Sequence, residues 1–167
     1  ALNLRRLGAG FFAAGDICFP FKFTHTADAM AQIVIQNALF RIPAKVNYAA
    51  LPWVTFTDPE LAQVGLTEAA ARAAHGNDVR VLHWRFDEND RAQAEKRTEG
   101  MVKVVLVKGK IAGASIVGPG AGELIQTWTL MITAKLGLRA LTGIIAPYPT
   151  YAEINKRVAS SAYTASL

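Results

Sequence analysis

Cysteine is almost absent: Cys18 stands alone in a chain of 167 residues. One thiol excludes an intrachain disulfide, a cysteine-rich zinc site and a CxxC or CxxxxC redox pair, so these residues by themselves run no dithiol chemistry and no metal site is expected. No apolar run reaches the length that spans a bilayer, and the first residues lack the layout of a secretory signal; a soluble, cytoplasmic protein with no membrane partner is the expectation. Internal repeats and low-complexity tracts are missing too. Positive charge is present but not clustered. The 18 Lys+Arg outnumber the 13 Asp+Glu to leave +5, yet the pairs Arg5-Arg6, Lys108/Lys110 and Lys156-Arg157 lie far apart along the chain. A nucleic-acid binder gathers its cations on one face with interleaved aromatics. A solvated basic surface is the better reading, and no nucleic-acid partner is expected.

What the chain does have is apolar content, 51% of its residues, in a length that allows one full core or one domain plus a piece of another. Composition changes at Pro43–Ala50, which marks the boundary. Before it, Phe11–Asp16 reads as a buried strand that stops at Gly15 and presents the Asp16 carboxylate at its carboxyl end. Open α/β sheets bind ligands at such ends, though an ordinary β-turn has the same pattern. After an apolar loop comes Thr24-His25-Thr26, then a helix from about Ala27 to Phe40 with Ala31, Val34, Ile35, Ala38 and Leu39 on one stripe. Thr24 or Thr26 is its expected N-cap, and the amides of such a helix start suit an electronegative ligand atom.

Beyond the boundary, Trp53–Phe56 and Leu61–Val64 read as short strands around the turn Thr57-Asp58-Pro59-Glu60. Thr67-Glu68 opens an Ala-rich helix that ends near Gly76, and Asp78–Phe86 alternates as a strand. Asp87–Gly100 is polar, without a predicted element. Met101–Val107 and Ile111–Val117 flank Lys108-Gly109-Lys110 as a hairpin. Helices follow at about Glu123–Leu136, near Leu138–Thr142, and from about Tyr151. Strands grouped together with helices after them predict an α+β domain on an antiparallel sheet with flanking helices.

Two glycine- or proline-rich stretches bear on function. Gly118-Pro119-Gly120-Ala121-Gly122-Glu123 follows a strand and opens a helix, which invites a dinucleotide-binding reading. The fingerprint, however, places its third glycine three residues after the second, and here it comes two after. Glu123 would also set a carboxylate where a pyrophosphate would lie. A tight turn with an acidic helix start, its glycines letting two backbones pack closely, is the better reading. In Pro147-Tyr148-Pro149-Thr150-Tyr151-Ala152-Glu153, the Tyr-Pro bond is a candidate for cis geometry. Thr150 can cap the final helix, with Glu153 as its capping-box partner.

Taken in order, Ala14-Gly15-Asp16, Phe23–Ala27, the run from Pro52 to Glu68, Asn89-Asp90-Arg91-Ala92, Gly118–Glu123, and Pro149-Thr150 with Glu153 resemble the FAD-dependent pyridine nucleotide-disulfide oxidoreductases. The resemblance covers nearly the whole chain and is greatest to the mercuric-reductase-like branch. It implies that residues 1–45 are the strand-helix end of a FAD-binding domain and that residues 49–167 form a dimerisation domain meeting a two-fold-related copy. Asp16 would accept hydrogen bonds from the flavin ribityl chain. The Thr24 amide would approach the flavin pyrimidine edge and stabilise negative charge building there on reduction. His25 fits the pattern as a packing or helix-start residue. Trp128 and Met131, on the apolar helix Leu124–Leu136, are candidates for the dimer surface or for a plain core.

The resemblance also has departures. The dinucleotide fingerprints, the redox-active cysteine pair and the nicotinamide domain of the family are missing from these residues. The implied protein is therefore the C-terminal portion of a flavoprotein in which NAD(P)H reduces FAD, FAD a disulfide, and the disulfide the substrate. In dithiol-handling members a histidine stands where this chain has Tyr148, oriented by a glutamate matched by Glu153. A phenol, with a pKa of about 10, is a poor base near neutrality. The resemblance thus makes Tyr148 a hydrogen-bond donor or weak ligand, and Glu153 its orienting partner or a helix-capping group. Cysteines that mercuric reductases carry at their C-terminus have no match in Ala165-Ser166-Leu167, which leaves mercury specificity unsupported. A homodimer is the expected assembly; alone, the chain is expected to be inactive, to bind neither FAD nor NAD(P)H, and to be at most a dimerisation module. The reading from another class is a stand-alone interaction module with no catalytic activity, separable by upstream sequence; a nucleic-acid binder would betray itself by steep salt dependence.

Overall fold

The computed structural model describes residues 6–8 and 11–164. The chain divides into two compact units between Leu51 and Pro52. In the first, β1 (Arg6–Gly8) pairs antiparallel with β2 (Phe11–Phe12), and a 3-10 turn, Gly15–Ile17, leads on to α1 (Thr24–Ala38). The predicted strand is therefore only Phe11–Phe12, because Gly15, at φ +79°, turns the chain before it can extend further. Helix α1 begins three residues earlier than expected. It buries Thr26 and Met30, while Ala31, Ile35, Ala38 and Leu39 of the predicted stripe are exposed.

The second unit is a five-stranded antiparallel sheet, ordered β3 (Pro52–Thr55), β4 (Glu60–Gly65), β7 (Lys110–Gly118), β6 (Met101–Val107), β5 (Val79–Arg85). Between β4 and β5 runs α2 (Glu68–His75), and between β5 and β6 runs α3 (Asp90–Glu95). After β7 come α4 (Ala121–Thr133), α5 (Leu138–Thr142) and α6 (Glu153–Ser160). Alternation in β6 sends Val102, Val104 and Leu106 into one core with Ala114 and Ile116 of β7, and α4 and α6 close that face with Leu124, Ile125, Trp128, Met131, Ile154 and Val158. Lys103, between two core residues, points to the opposite face and pairs with Glu68 of α2 at 3.0 Å, so α2 lies on that side. The expected antiparallel α+β architecture is the one observed.

Local chemistry explains most boundaries. The Thr67 hydroxyl accepts the Ala70 amide to start α2, and Gly76, at φ +54°, ends it. Lys108 and Gly109, both at positive φ, make the two-residue turn of the β6–β7 hairpin. The polar stretch after β5, for which no element is predicted, holds a helix: the Asn89 side chain accepts the Ala92 amide at 3.0 Å and nucleates α3.

The Gly118–Glu123 stretch is a turn with an acidic helix start, as its spacing predicts. The closest approach at its glycines is to a ring at Gly118, not to a second backbone. A Cβ on Gly118 would lie 2.1 Å from Cε2 of Phe86, a fully buried side chain. Gly120 takes the left-handed conformation at the N-cap of α4. The start of that helix is answered from within the protein, where the Gly122 amide donates to Oε2 of Glu60 at 2.9 Å. Among the described residues no helix is long and apolar enough to cross a membrane.

Candidate functional site

Asp16 and Thr24 belong to the first unit. The Gly15 amide donates to Sδ of Met30 at 3.1 Å, and a Cβ on Gly15 would be 3.5 Å from that of Ala27. Both contacts seat the Asp16 turn on the first half of α1, with the Asp16 side chain exposed. Neither threonine caps the helix. Phe23 occupies the N-cap without a side-chain cap hydrogen bond, and its carbonyl accepts the Thr26 and Ala27 amides at 3.0 Å. Thr24 is thus the first helical residue. No acidic residue lies in this first turn, and the helix dipole there favours a partner rich in electrons. The Thr26 hydroxyl in the same turn is buried without a hydrogen-bond partner. The His25 ring stacks on Phe23, centroids 5.3 Å apart.

Tyr148 and Glu153 belong to the second unit, where the segment between α5 and α6 presents an apolar, water-facing edge. Ile144 is 46% exposed, Ile145 98% and Tyr148 67%. The Tyr148–Pro149 peptide is cis, the geometry its sequence makes available. The Tyr148 hydroxyl donates to Oδ2 of Asp90 at 2.7 Å, and Glu153 instead pairs with Arg157 one helical turn on, at 2.8 Å. The orienting partner of Tyr148 is therefore Asp90, not Glu153. The capping box is not formed either: Ala152 is the N-cap of α6, and the Thr150 hydroxyl turns back to the Pro147 carbonyl at 2.8 Å. Glu153 meets its cation at i+4 because both sit on one side of the helix.

Three hydrogen bonds clasp this segment to α3. Besides the Tyr148–Asp90 bond, the Asn89 amide group donates to the Thr150 carbonyl at 3.1 Å, and the Tyr151 hydroxyl donates to Oε2 of Glu95 at 2.6 Å. Electrostatics follow. Hydrogen bonding to the Asp90 carboxylate, with the negative field of Asp90 and Glu153 behind it, raises the Tyr148 phenol above its ordinary pKa. Burial and then the Glu95 bond raise Tyr151, while the Tyr151 bond and the Arg91 ion pair lower Glu95. A phenol held protonated is a hydrogen-bonding group, not a base. Sequence reasoning missed Asp90 and Asn89 as partners of this segment. An Asn-capped start at Asn89–Ala92 was a usable signal for α3, but nothing local points to a loop 58 residues away.

Trp128 and Met131 resolve toward the core. Trp128 is fully buried, and its indole N–H donates to Oδ1 of Asn155 at 2.8 Å. Among the described residues no group of three or more His, Cys, Asp or Glu could hold a metal ion.

Comparison with known proteins gives this geometry its context. The model of the pyridine nucleotide-disulphide oxidoreductase dimerisation domain matches residues 51–159, well over half of the chain. The chain belongs to that family. Mercuric reductase from Streptomyces lividans is 37% identical over 162 residues, 95% of this chain and 34% of that protein. Dihydrolipoyl dehydrogenase from Rhizobium etli is 33% identical over 159 residues, 93% of this chain and 33% of that protein. Crystalline LpdA from Mycobacterium tuberculosis superposes with a TM-score of 0.88 over 95% of this chain and 35% of that one, at 24% identity, which shows the shared fold. The chain spans about a third of the length of the relatives it matches. The matched dimerisation domain takes in the whole sheet, α4, α5, the Tyr148 segment and nearly all of α6, while Asp16 and Thr24 precede it.

Proposed function

We propose that this chain is the C-terminal portion of a FAD-dependent NAD(P)H-disulfide oxidoreductase, with residues 1–45 closing the flavin domain and residues 49–167 forming the homodimer interface. The observation that carries the reading is the family match over residues 51–159. The exposed Ile144–Tyr148 edge supports it, because a contiguous apolar edge rimmed by polar groups is the surface a second copy would cover.

In the intact enzyme, Tyr148 and Glu153 border the partner subunit's substrate site, where Tyr148 provides a neutral phenol and Glu153 a carboxylate neutralised by Arg157. A phenol in place of an imidazole base favours a mercuric-reductase-like member over a lipoamide or glutathione reductase. FAD, when bound, would supply the electron relay between NAD(P)H and a disulfide. The first unit fits such a group in three respects: an exposed Asp16 carboxylate for sugar-like hydroxyls, a helix start at Thr24 with no acidic residue in its first turn, and a buried, unpartnered Thr26 hydroxyl beside it. Asp16 would orient the ribityl chain and the Thr24 amide would donate to the electron-rich edge of the ring. A reductase fed by NAD(P)H is assigned to the cytoplasm.

These residues carry no dinucleotide fingerprint to cradle a pyrophosphate, so the chain alone is proposed to bind no flavin and to be inactive. Native mass spectrometry with a visible absorbance scan tests the reading. A colourless dimer is expected. A chain that stays monomeric at every accessible concentration would overturn the interface assignment, and bound flavin would overturn the claim that the site needs the rest of the domain.

A further inference from the structure

Asp90 has no task in the function proposed above, yet it holds the hydroxyl on which that function draws. A phenol carries one proton. At 2.7 Å from a carboxylate oxygen that proton is committed to Asp90, and only oxygen lone pairs are left to face a visitor. Asp90 is the first residue of α3, whose start is built by Asn89, and the same Asn89 side chain clasps the Thr150 carbonyl. Tyr151 ties the far end of α3 at Glu95, itself paired with Arg91. The charged groups facing the phenol are Asp90 from α3, and Glu153 and Arg157 from α6, the last two paired with each other. The field at the phenol oxygen is therefore set by Asp90.

Resting on the function proposed above, we propose that Asp90 is the positioning residue of the Tyr148 site. It commits the phenol proton toward α3, so that the site meets its substrate with an acceptor oxygen. That arrangement suits a substrate that donates a hydrogen bond or carries positive charge, and disfavours an anionic one.

The test is an ultraviolet difference titration of tyrosinate in the full 167-residue chain. Subtracting the Tyr148→Phe trace isolates Tyr148 in the wild type and in Asp90→Asn, an amide that keeps the shape and an acceptor oxygen but not the charge. The expected result is a Tyr148 ionisation above the ordinary phenol value in the wild type and near that value in Asp90→Asn, with unchanged far-ultraviolet circular dichroism. An ordinary Tyr148 in the wild type, or one unmoved by the substitution, would overturn the proposal. If Asp90→Asn fails to fold, Asp90→Ser, which keeps a residue suited to a helix start, carries the same expectation. Sedimentation of the same samples tests the underlying reading separately: a chain that is only ever monomeric removes Tyr148 from a subunit boundary, whatever the titration shows.

Discussion

Replacing Asn155 by alanine is expected to cost the second unit about 2–4 kcal/mol. Asn155 is 1% exposed and bridges two helices: its Oδ1 accepts the Trp128 indole N–H at 2.8 Å, and its Nδ2 donates to the Leu124 carbonyl at 3.1 Å. Alanine leaves the indole N–H buried without a partner, a loss of about 1–3 kcal/mol. The small void left by the missing amide adds about 1 kcal/mol. The Leu124 carbonyl contributes less, because it is a helix-interior acceptor. At roughly 4 °C per kcal/mol for a unit of this size, the melting midpoint should fall by about 8–16 °C. Urea unfolding followed by far-ultraviolet circular dichroism gives the free energy, and an unchanged urea slope would show that the loss lies in the native state. The decisive assay is a double-mutant cycle with Trp128→Phe, which removes the N–H and keeps an aromatic ring. A coupling of at least about 1 kcal/mol is expected; additivity within about 0.5 kcal/mol would refute the bond as the cause.

Gly118→Ala should cost at least about 2 kcal/mol, since its Cβ would meet the buried Phe86 ring at 2.1 Å, whereas Gly120→Ala meets open space at φ +64° and should cost only about 1 kcal/mol; equal melting midpoints for the two variants would contradict the packing argument. Glu68 is held below the usual glutamate range by hydrogen bonds from Lys103 and then Arg72. A carboxyl depressed on folding contributes stability above its unfolded pKa of about 4.5 and loses it as pH falls through the lower folded value. The acid limb of the wild-type melting curve should therefore flatten in Glu68→Gln, and identical limbs would argue against the pairing. Ile145→Asp should leave the monomer's stability within about 0.5 kcal/mol, because the side chain is 98% exposed, while weakening self-association at least tenfold, which sedimentation velocity would detect. Undiminished dimerisation would move the interface elsewhere.

The legible features of this fold share one property: their causes lie within a few residues. Thr67 and Gly76 bracket α2, Lys108-Gly109 closes the β6–β7 hairpin, and the alternation of Met101–Val107 assigns one face of β6 to the core. Each is a matter of capping, turn conformation or period, so the sequence by itself determined the antiparallel sheet and the order of its helices apart from α3. Motif order was equally local, and it sufficed to point to the family.

What the sequence left open were choices among partners. For Glu153 the sequence leaves two roles, capping its own helix or orienting Tyr148. The structure pairs it with Arg157 instead, and brings Asp90 to Tyr148 from 58 residues away. The two segments meet only because α3 and α6 are parts of one packed unit. Trp128 likewise could have faced a second copy or the core, and only the position of α6, with Asn155 on its inner side, turned it inward. Tertiary packing made these decisions because a hydrogen bond needs its partner within about 3 Å, and proximity between distant residues is a property of the whole fold.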